Sequence, residues 1–140
     1  MRYPIEMTPE DNGTVTVYVP DIPGCHTFGG NTTEALARAV DAAEAMLGAR
    51  IADRDDIPSP SSAAGRATIT IPAISVAKIG LYQAMQQAKV GKAELGRRLG
   101  WHLPQIDRVL DLNHASKFDQ IEAALQVLGK EIEIRVLDAA

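Results

Sequence analysis

Residues 95–110 read LGRRLGWHLPQIDRVL, and with Lys92 just before them they gather Arg97, Arg98, His102, Gln105 and Arg108 around a single glycine. These are side chains that grip phosphates and read base edges: lysine and arginine as cations, glutamine and arginine as two-pronged hydrogen-bonding groups. The N-terminal half offers less chemistry. Two-metal phosphodiester hydrolysis needs several carboxylates converging on ions about 4 Å apart. Only Glu6 falls in a plausible strand there, with Asp21 in a turn, and neither belongs to a cluster. Cys25 and His26 are adjacent, so on a strand they point to opposite faces and cannot share a metal. No enzymatic activity, catalytic residue, metal or cofactor is expected.

The basic group requires two helices packed closely. Leu95 to Leu99 and Leu103 to Leu110 are short apolar-periodic segments that meet at Gly100 with almost no loop. A tight helix-turn-helix of this kind needs a residue that tolerates positive φ at the turn, a small residue where the helices touch and apolar anchors on both sides. Gly100, Gly96 and the set Leu95, Leu99, Ile106 and Leu110 meet these needs. Trp101 is expected to plug the gap between the helices rather than to stack on a base, and Pro104 suits the first turn of the second helix. Gln105 and Arg108 would then face bases, with His102 as a further candidate, and Lys92, Arg97, Arg98 and Lys117 would meet phosphates. The bland alternative is a small helical bundle with a solvated charged face.

Around this motif the pattern is helical: Val76, Ile79, Tyr82 and Met85 mark one more helix, and Phe118, Ile121, Leu125 and Leu128 another, capped by Ser116 and stopped at Gly129. The ending EIEIRVL alternates with period two and reads as a strand. The N-terminal part reads differently. Tyr3, Ile5 and Met7 alternate, Asn12-Gly13 makes a turn, and Thr14 to Val19 is β-branched, which together form a hairpin. A third strand is expected around Cys25 to Phe28. Asn31 with Glu34 opens a helix running to about Arg54, DDIPSPSSAAGR is a loop, and ATITIP returns to the sheet. The fold class is therefore α+β: a β-β-β-α-β domain over residues 1–74 and an all-α helix-turn-helix domain with a terminal β-strand over residues 75–140.

Charge separates the same two parts. Residues 1–74 carry five basic against ten acidic side chains, net −5, and residues 75–140 carry nine against eight, net +1. Two partners of opposite charge are implied. A single cysteine excludes an internal disulfide, and no signal segment or membrane span is evident, so a cytoplasmic protein is expected.

Four stretches, RYPIEMTPE, YVPDIPGCHTFGG, TEALARAVDAAEAML and LNHASKFDQIEAALQVLGKEIEI, resemble the HicB antitoxins of bacterial toxin-antitoxin pairs, in one order and over nearly the whole chain. The resemblance implies an N-terminal domain shaped like a partial ribonuclease H fold that binds and blocks HicA, a small RNA-cleaving toxin protein. It also implies a C-terminal domain that binds operator double-stranded DNA and represses the operon. Within that family this chain is similar to the helix-turn-helix subgroup rather than to the ribbon-helix-helix one.

Toxin contacts are expected from the turn Asp21, Ile22, Pro23 and Gly24 and from Asp41 and Glu44 on the long helix. A homodimer or higher homo-oligomer is expected too, because two-fold operators are read by paired recognition helices. Ile132, Ile134 and Val136 would form the dimerisation strand, with pairing into the chain's own N-terminal sheet as the other possibility. The competing function is a ligand-sensing transcriptional repressor, against which the first domain sets few aromatics, Tyr3, Tyr18 and Phe28, and no evident cluster of polar groups.

Overall fold

The alternating run at the N-terminus becomes two strands rather than one in the structure, a computed structural model that describes residues 1–139. β1 (Arg2–Pro4) and β2 (Glu6–Pro9) are followed by β3 (Val15–Tyr18), β4 (His26–Gly29), α1 (Thr32–Ala52) and β5 (Thr68–Thr70). Then come α2 (Ala73–Ala88), α3 (Lys92–Leu99), α4 (Leu103–Leu110) and α5 (Phe118–Gln126). The chain is mixed α+β and divides into two compact units, Met1–Val76 and the part from Ala77 onward, the boundary falling inside α2.

In the first unit β1 pairs antiparallel with β5, Tyr3 opposite Ile69, while β2 pairs with β3 and β3 with β4, Met7 opposite Val17 and Val17 opposite Thr27. Ile5 hands the chain from one ladder to the other, its N–H donating to the Ala67 carbonyl at 2.9 Å. The expected β-β-β-α-β unit therefore holds one more strand. Residues Ala35, Ala39, Ala43, Leu47 and Ile51, each four apart, form the buried stripe of α1. Small residues at its start allow close approach: a Cβ on Gly29 would lie 2.4 Å from the Ala35 nitrogen, so β4 and α1 meet backbone to backbone. Larger side chains fill the rest, and each fully buried Leu or Ile stabilises by about 1.5–3 kcal/mol.

The start of α1 is capped as its sequence suggests. The Asn31 side chain accepts from the Glu34 N–H at 2.9 Å, although Glu34 reaches back to Gly30 rather than to Asn31. The loop after α1 has no regular element but is held at several points. The Tyr3 hydroxyl donates to the Pro58 carbonyl at 2.6 Å, Ile57 is buried, and the Asp21 carboxylate accepts from the Ser61 N–H at 2.7 Å and from its hydroxyl.

In the second unit Ile79, Leu81, Met85, Leu95, Ile106, Val109, Ile121 and Leu125 make the core. Two expectations are corrected here. Ser116 does not cap α5: Lys117 stands at the N-cap with no side-chain bond, and the Ser116 hydroxyl donates to the Arg108 carbonyl at 3.2 Å instead. Nor is EIEIRVL a strand within the chain. Residues 131–139 carry no helix or strand, both sheets are built from β1 to β5 alone, and Val136 is 96% exposed. Alternation supplies a strand's side-chain pattern, but a strand also needs a ladder partner for its backbone. Pairing with the chain's own N-terminal sheet is likewise overturned. Among the described residues no helix is long and apolar enough to cross a membrane.

Candidate nucleic-acid interface

Gly100 ends α3 in the left-handed region at φ 69°, and the Trp101 N–H returns to the Gly96 carbonyl at 2.9 Å, which turns the chain within two residues. A Cβ on Gly96 would stand 3.0 Å from the Trp101 carbonyl oxygen and 3.5 Å from Ile106, so this glycine sits where α3, the turn and α4 touch. Leu95 and Ile106 are fully buried beside it, while Trp101 is half-buried. Burial of Ile106, Val109 and Leu110 fixes the rotation of α4 and leaves His102, Leu103, Pro104, Asp107 and Arg108 exposed.

Of the residues expected to read bases, Arg108 is exposed on this face. Gln105 is half-buried and its Oε1 accepts from the His102 N–H at 2.8 Å, so it caps the first turn of α4. His102 is the N-cap residue of that helix. The expected phosphate contacts are partnered. Lys92 Nζ lies 2.8 Å from Asp107, while Arg97 binds Glu94 through two nitrogens and Arg98 Nε donates to the same carboxylate at 3.0 Å. Hydrogen bonds from Arg97 and then Arg98 hold the Glu94 carboxyl down to about 2. Lys117 is exposed at the start of α5.

Lys78 was not singled out from the sequence, yet it organises the far end of α4. It is fully buried, and its ammonium donates to the carbonyls of Arg108 at 3.0 Å, Asp111 at 2.7 Å and His114 at 2.6 Å. A cation thus sits at the negative end of the helix, where unpaired carbonyls and the macrodipole favour it. Burial pushes its ammonium below the usual lysine range, with the Asp111 carboxylate pulling the other way. The turn it holds is fixed further by Asp111, whose carboxylate accepts from the Asn113 N–H at 2.9 Å, and by His114 Nδ1, 3.1 Å from the Ser116 hydroxyl. Nothing in the pattern of apolar residues separates Lys78 from a solvated lysine. Glu94 was not singled out either, although its place three and four residues before two arginines is a spacing that could have revealed it.

The residues expected to meet a toxin are placed unevenly in the first unit. Pro23, Gly24 and Asp41 are exposed. Ile22 is fully buried and anchors its turn instead of displaying it. Asp21 is occupied by Ser61, and Glu44 is half-buried, accepting from the Ser75 hydroxyl at 2.5 Å. His26 and Cys25 lie on opposite sides of the sheet: Cys25 is buried, and the His26 ring stacks on Tyr18. Among the described residues no three His, Cys, Asp or Glu side chains converge as a metal site.

Residues 2–80 match the family model described as the HicB_like antitoxin of bacterial toxin-antitoxin systems. The chain is 40% identical over 129 residues to the antitoxin HicB of Pseudomonas fluorescens strain Pf0-1, covering 91% of this chain and 88% of that one. To antitoxin HicB 2 of Photorhabdus laumondii it is 39% identical over 134 residues, covering 96% and 95%. The crystal structure of the N-terminal domain of the Burkholderia pseudomallei antitoxin HicB aligns with a TM-score of 0.46 at 25% identity, covering 51% of this chain and 99% of that one. With a family model matched over more than half its length and relatives of this identity along nearly all of it, the chain belongs to the HicB-like antitoxin family of bacterial toxin-antitoxin systems.

Proposed function

We propose that the chain neutralises a HicA-type RNA-cleaving toxin through its first unit and represses its own operon by binding operator double-stranded DNA through its second, without enzymatic activity of its own. The observation that carries the DNA reading is the packing of α3 on α4: the left-handed Gly100, the contact at Gly96 and an exposed face of α4 bearing Arg108. We read this packing as a helix-turn-helix, in which α4 would enter the major groove and α3 would cross the phosphates. Arg108 and the free end of Gln105 then meet base edges, with His102 at the entry of the helix. Lys92, Arg97 and Arg98 meet phosphates by exchanging their carboxylate partners for phosphate oxygens, and Lys117 meets them from its exposed place at the start of α5. The toxin-binding unit, helix α1 with two small antiparallel sheets, is read as the partial ribonuclease H shape of the family.

Operator binding of this kind needs two copies. Ile134, Val136 and Leu137 are exposed in a segment that has the side-chain pattern of a strand and no ladder, which suits antiparallel pairing of Ile132 to Val136 with the same segment of a second chain. The site of action is the cytoplasm, where both RNA substrate and operator lie.

The test is a gel-shift titration of the full chain on its own promoter. Arg108→Ala should cost about 1–3 kcal/mol and relax sequence preference, whereas Arg97→Ala should weaken all sequences alike and flatten the salt dependence. Parent-like binding by both variants would remove the site from α3 and α4. In parallel, co-expression of the chain with a HicA-type toxin from the same genome should restore growth; continued arrest would sink the neutralisation reading.

A further inference from the structure

The three-stranded ladder of β2, β3 and β4 has one face against α1 and the other in solvent. Directly opposed residues share a face. The register Glu6 with Tyr18 with His26, and Thr8 with Thr16 with Phe28, therefore sets these six side chains on the outer face in two cross-strand rows. The Tyr18 and His26 rings stack with centroids 4.2 Å apart and planes 10° from parallel. Phe28 is 57% exposed, an unusual position for a phenylalanine. The same residues line an open cavity of about 440 Å³.

The face is acidic as well as aromatic. Glu6 is exposed, Glu10 takes the Thr16 hydroxyl at 3.1 Å, and the residues lining the cavity include no lysine or arginine. At the rim, Arg38 lies with its guanidinium carbon 5.8 Å from the Phe28 ring centroid, donates to the Phe28 carbonyl at 3.2 Å and is paired with Glu34 at 2.9 Å. The Phe28 ring thus already holds one guanidinium, and its own charge is balanced within the unit.

We propose that this outer sheet face is where the toxin docks, through a basic surface that presents arginine side chains to Phe28, the Tyr18–His26 stack and Glu6. The inference rests on the antitoxin reading above. A protein that cleaves RNA holds a polyanion on cationic side chains, and covering that surface takes carboxylates for its charge and π faces for its guanidinium planes. Aromatic residues on a sheet can also stack nucleic-acid bases. Here Glu6 and Glu10 would repel the phosphates, and the cavity lining offers no cation to hold them. The proposal moves the contact away from Asp41, which lies on the helix packed against the opposite side of the sheet.

The experiment titrates the full-length parent and its Glu6→Lys, Phe28→Ala and Asp41→Lys variants against a HicA-type toxin from the same genome, inactivated by substitution, and against a single-stranded RNA oligonucleotide. All three positions are exposed, and thermal melts verify that each variant folds. Glu6→Lys and Phe28→Ala should each raise the Kd for toxin about tenfold or more, the size expected of truncating or reversing a central contact, with Asp41→Lys within about twofold of the parent. A parent that binds tightly with Glu6→Lys and Phe28→Ala indistinguishable from it would remove docking from this face. Loss confined to Asp41→Lys would assign docking to α1, and loss confined to RNA would assign the face to nucleic acid; either overturns the proposal. A parent that binds no toxin brings down the antitoxin reading itself.

Discussion

Replacing Lys78 by methionine keeps the length and removes the ammonium from the end of α4. The parent makes three hydrogen bonds there, at 3.0, 2.7 and 2.6 Å. Bonds to a charged group contribute about 1.5–3 kcal/mol each, so the gross loss is on the order of 5–9 kcal/mol. Two effects reduce it. Burying an ammonium costs several kcal/mol, which the variant escapes. The three carbonyls are also not orphaned, since Arg108 still accepts from the Ser116 hydroxyl, Asp111 from the His114 N–H and His114 from the Ser116 N–H. The net destabilisation of the second unit should be about 2–4 kcal/mol, or roughly 10–25 °C in Tm for a unit of this size. Circular dichroism melts of the full chain measure it, followed by operator titration at a temperature where both proteins are folded.

The pH dependence has a definite sign. The folded pKa of Lys78 lies below its ordinary value of 10.5, so between the two the unfolded chain binds more protons, and stability rises with pH. The margin of parent over Lys78→Met should widen as pH climbs through that window. A variant as stable as the parent, or a margin that shrinks with rising pH, would refute the role assigned to this lysine.

Tyr3 gives the opposite alkaline behaviour in the first unit. Burial first, and then the charge of Asp21, raise its pKa to about 12, so stability present below pH 10 should fall by up to about 2–3 kcal/mol as pH rises through 12; Tyr3→Phe should lose about 1 kcal/mol at neutral pH and be flatter in alkali, as read by melts across pH. Glu94→Gln releases Arg97 and Arg98, so non-specific DNA affinity should increase and the slope of log K against log salt steepen; an unchanged slope would mean that the arginines do not reach phosphate. Gly100→Ala, at φ 69° with open space around its Cβ, should destabilise the second unit by about 1–2 kcal/mol in denaturant titration, through backbone strain alone.

The positions of the long helix, the N-terminal hairpin and the tight turn at Gly100 were legible because each rests on local signals: an Asn cap with its Glu, alternating β-branched residues, and paired glycines between leucines. The split of the first strand was not, since Tyr3, Ile5 and Met7 alternate without a break and only the distant Ala67 and Ile69 decide where one ladder ends. Ser116 was assigned to the wrong helix for a similar reason. A serine near a helix start fits a cap by spacing, whereas its actual acceptor, the Arg108 carbonyl, is close only after folding. In the candidate interface the charged residues could be named, but not their carboxylate partners across the turn or the capping duty of Gln105, which depend on how α4 is rotated. The terminal segment shows that alternation is a statement about side chains and leaves open where the backbone finds its ladder.

The eight residues from Arg2 to Pro9 serve two ladders at once, and this couples registers that would otherwise be set separately. A slip of one residue between β2 and β3 would turn the strand over and bring Tyr3 out of the interior as the exposed Arg2 moved in, so an error at one end is punished at the other. The two ladders also close on different scales of chain separation. β2 meets β3 across a short turn, whereas β1 meets β5 only after α1 and the long loop are in place, and such distant pairings close late. Pairing of β5 with β1 should therefore act as a check on register, since it requires the hairpin in the register that buries Tyr3 and Ile5.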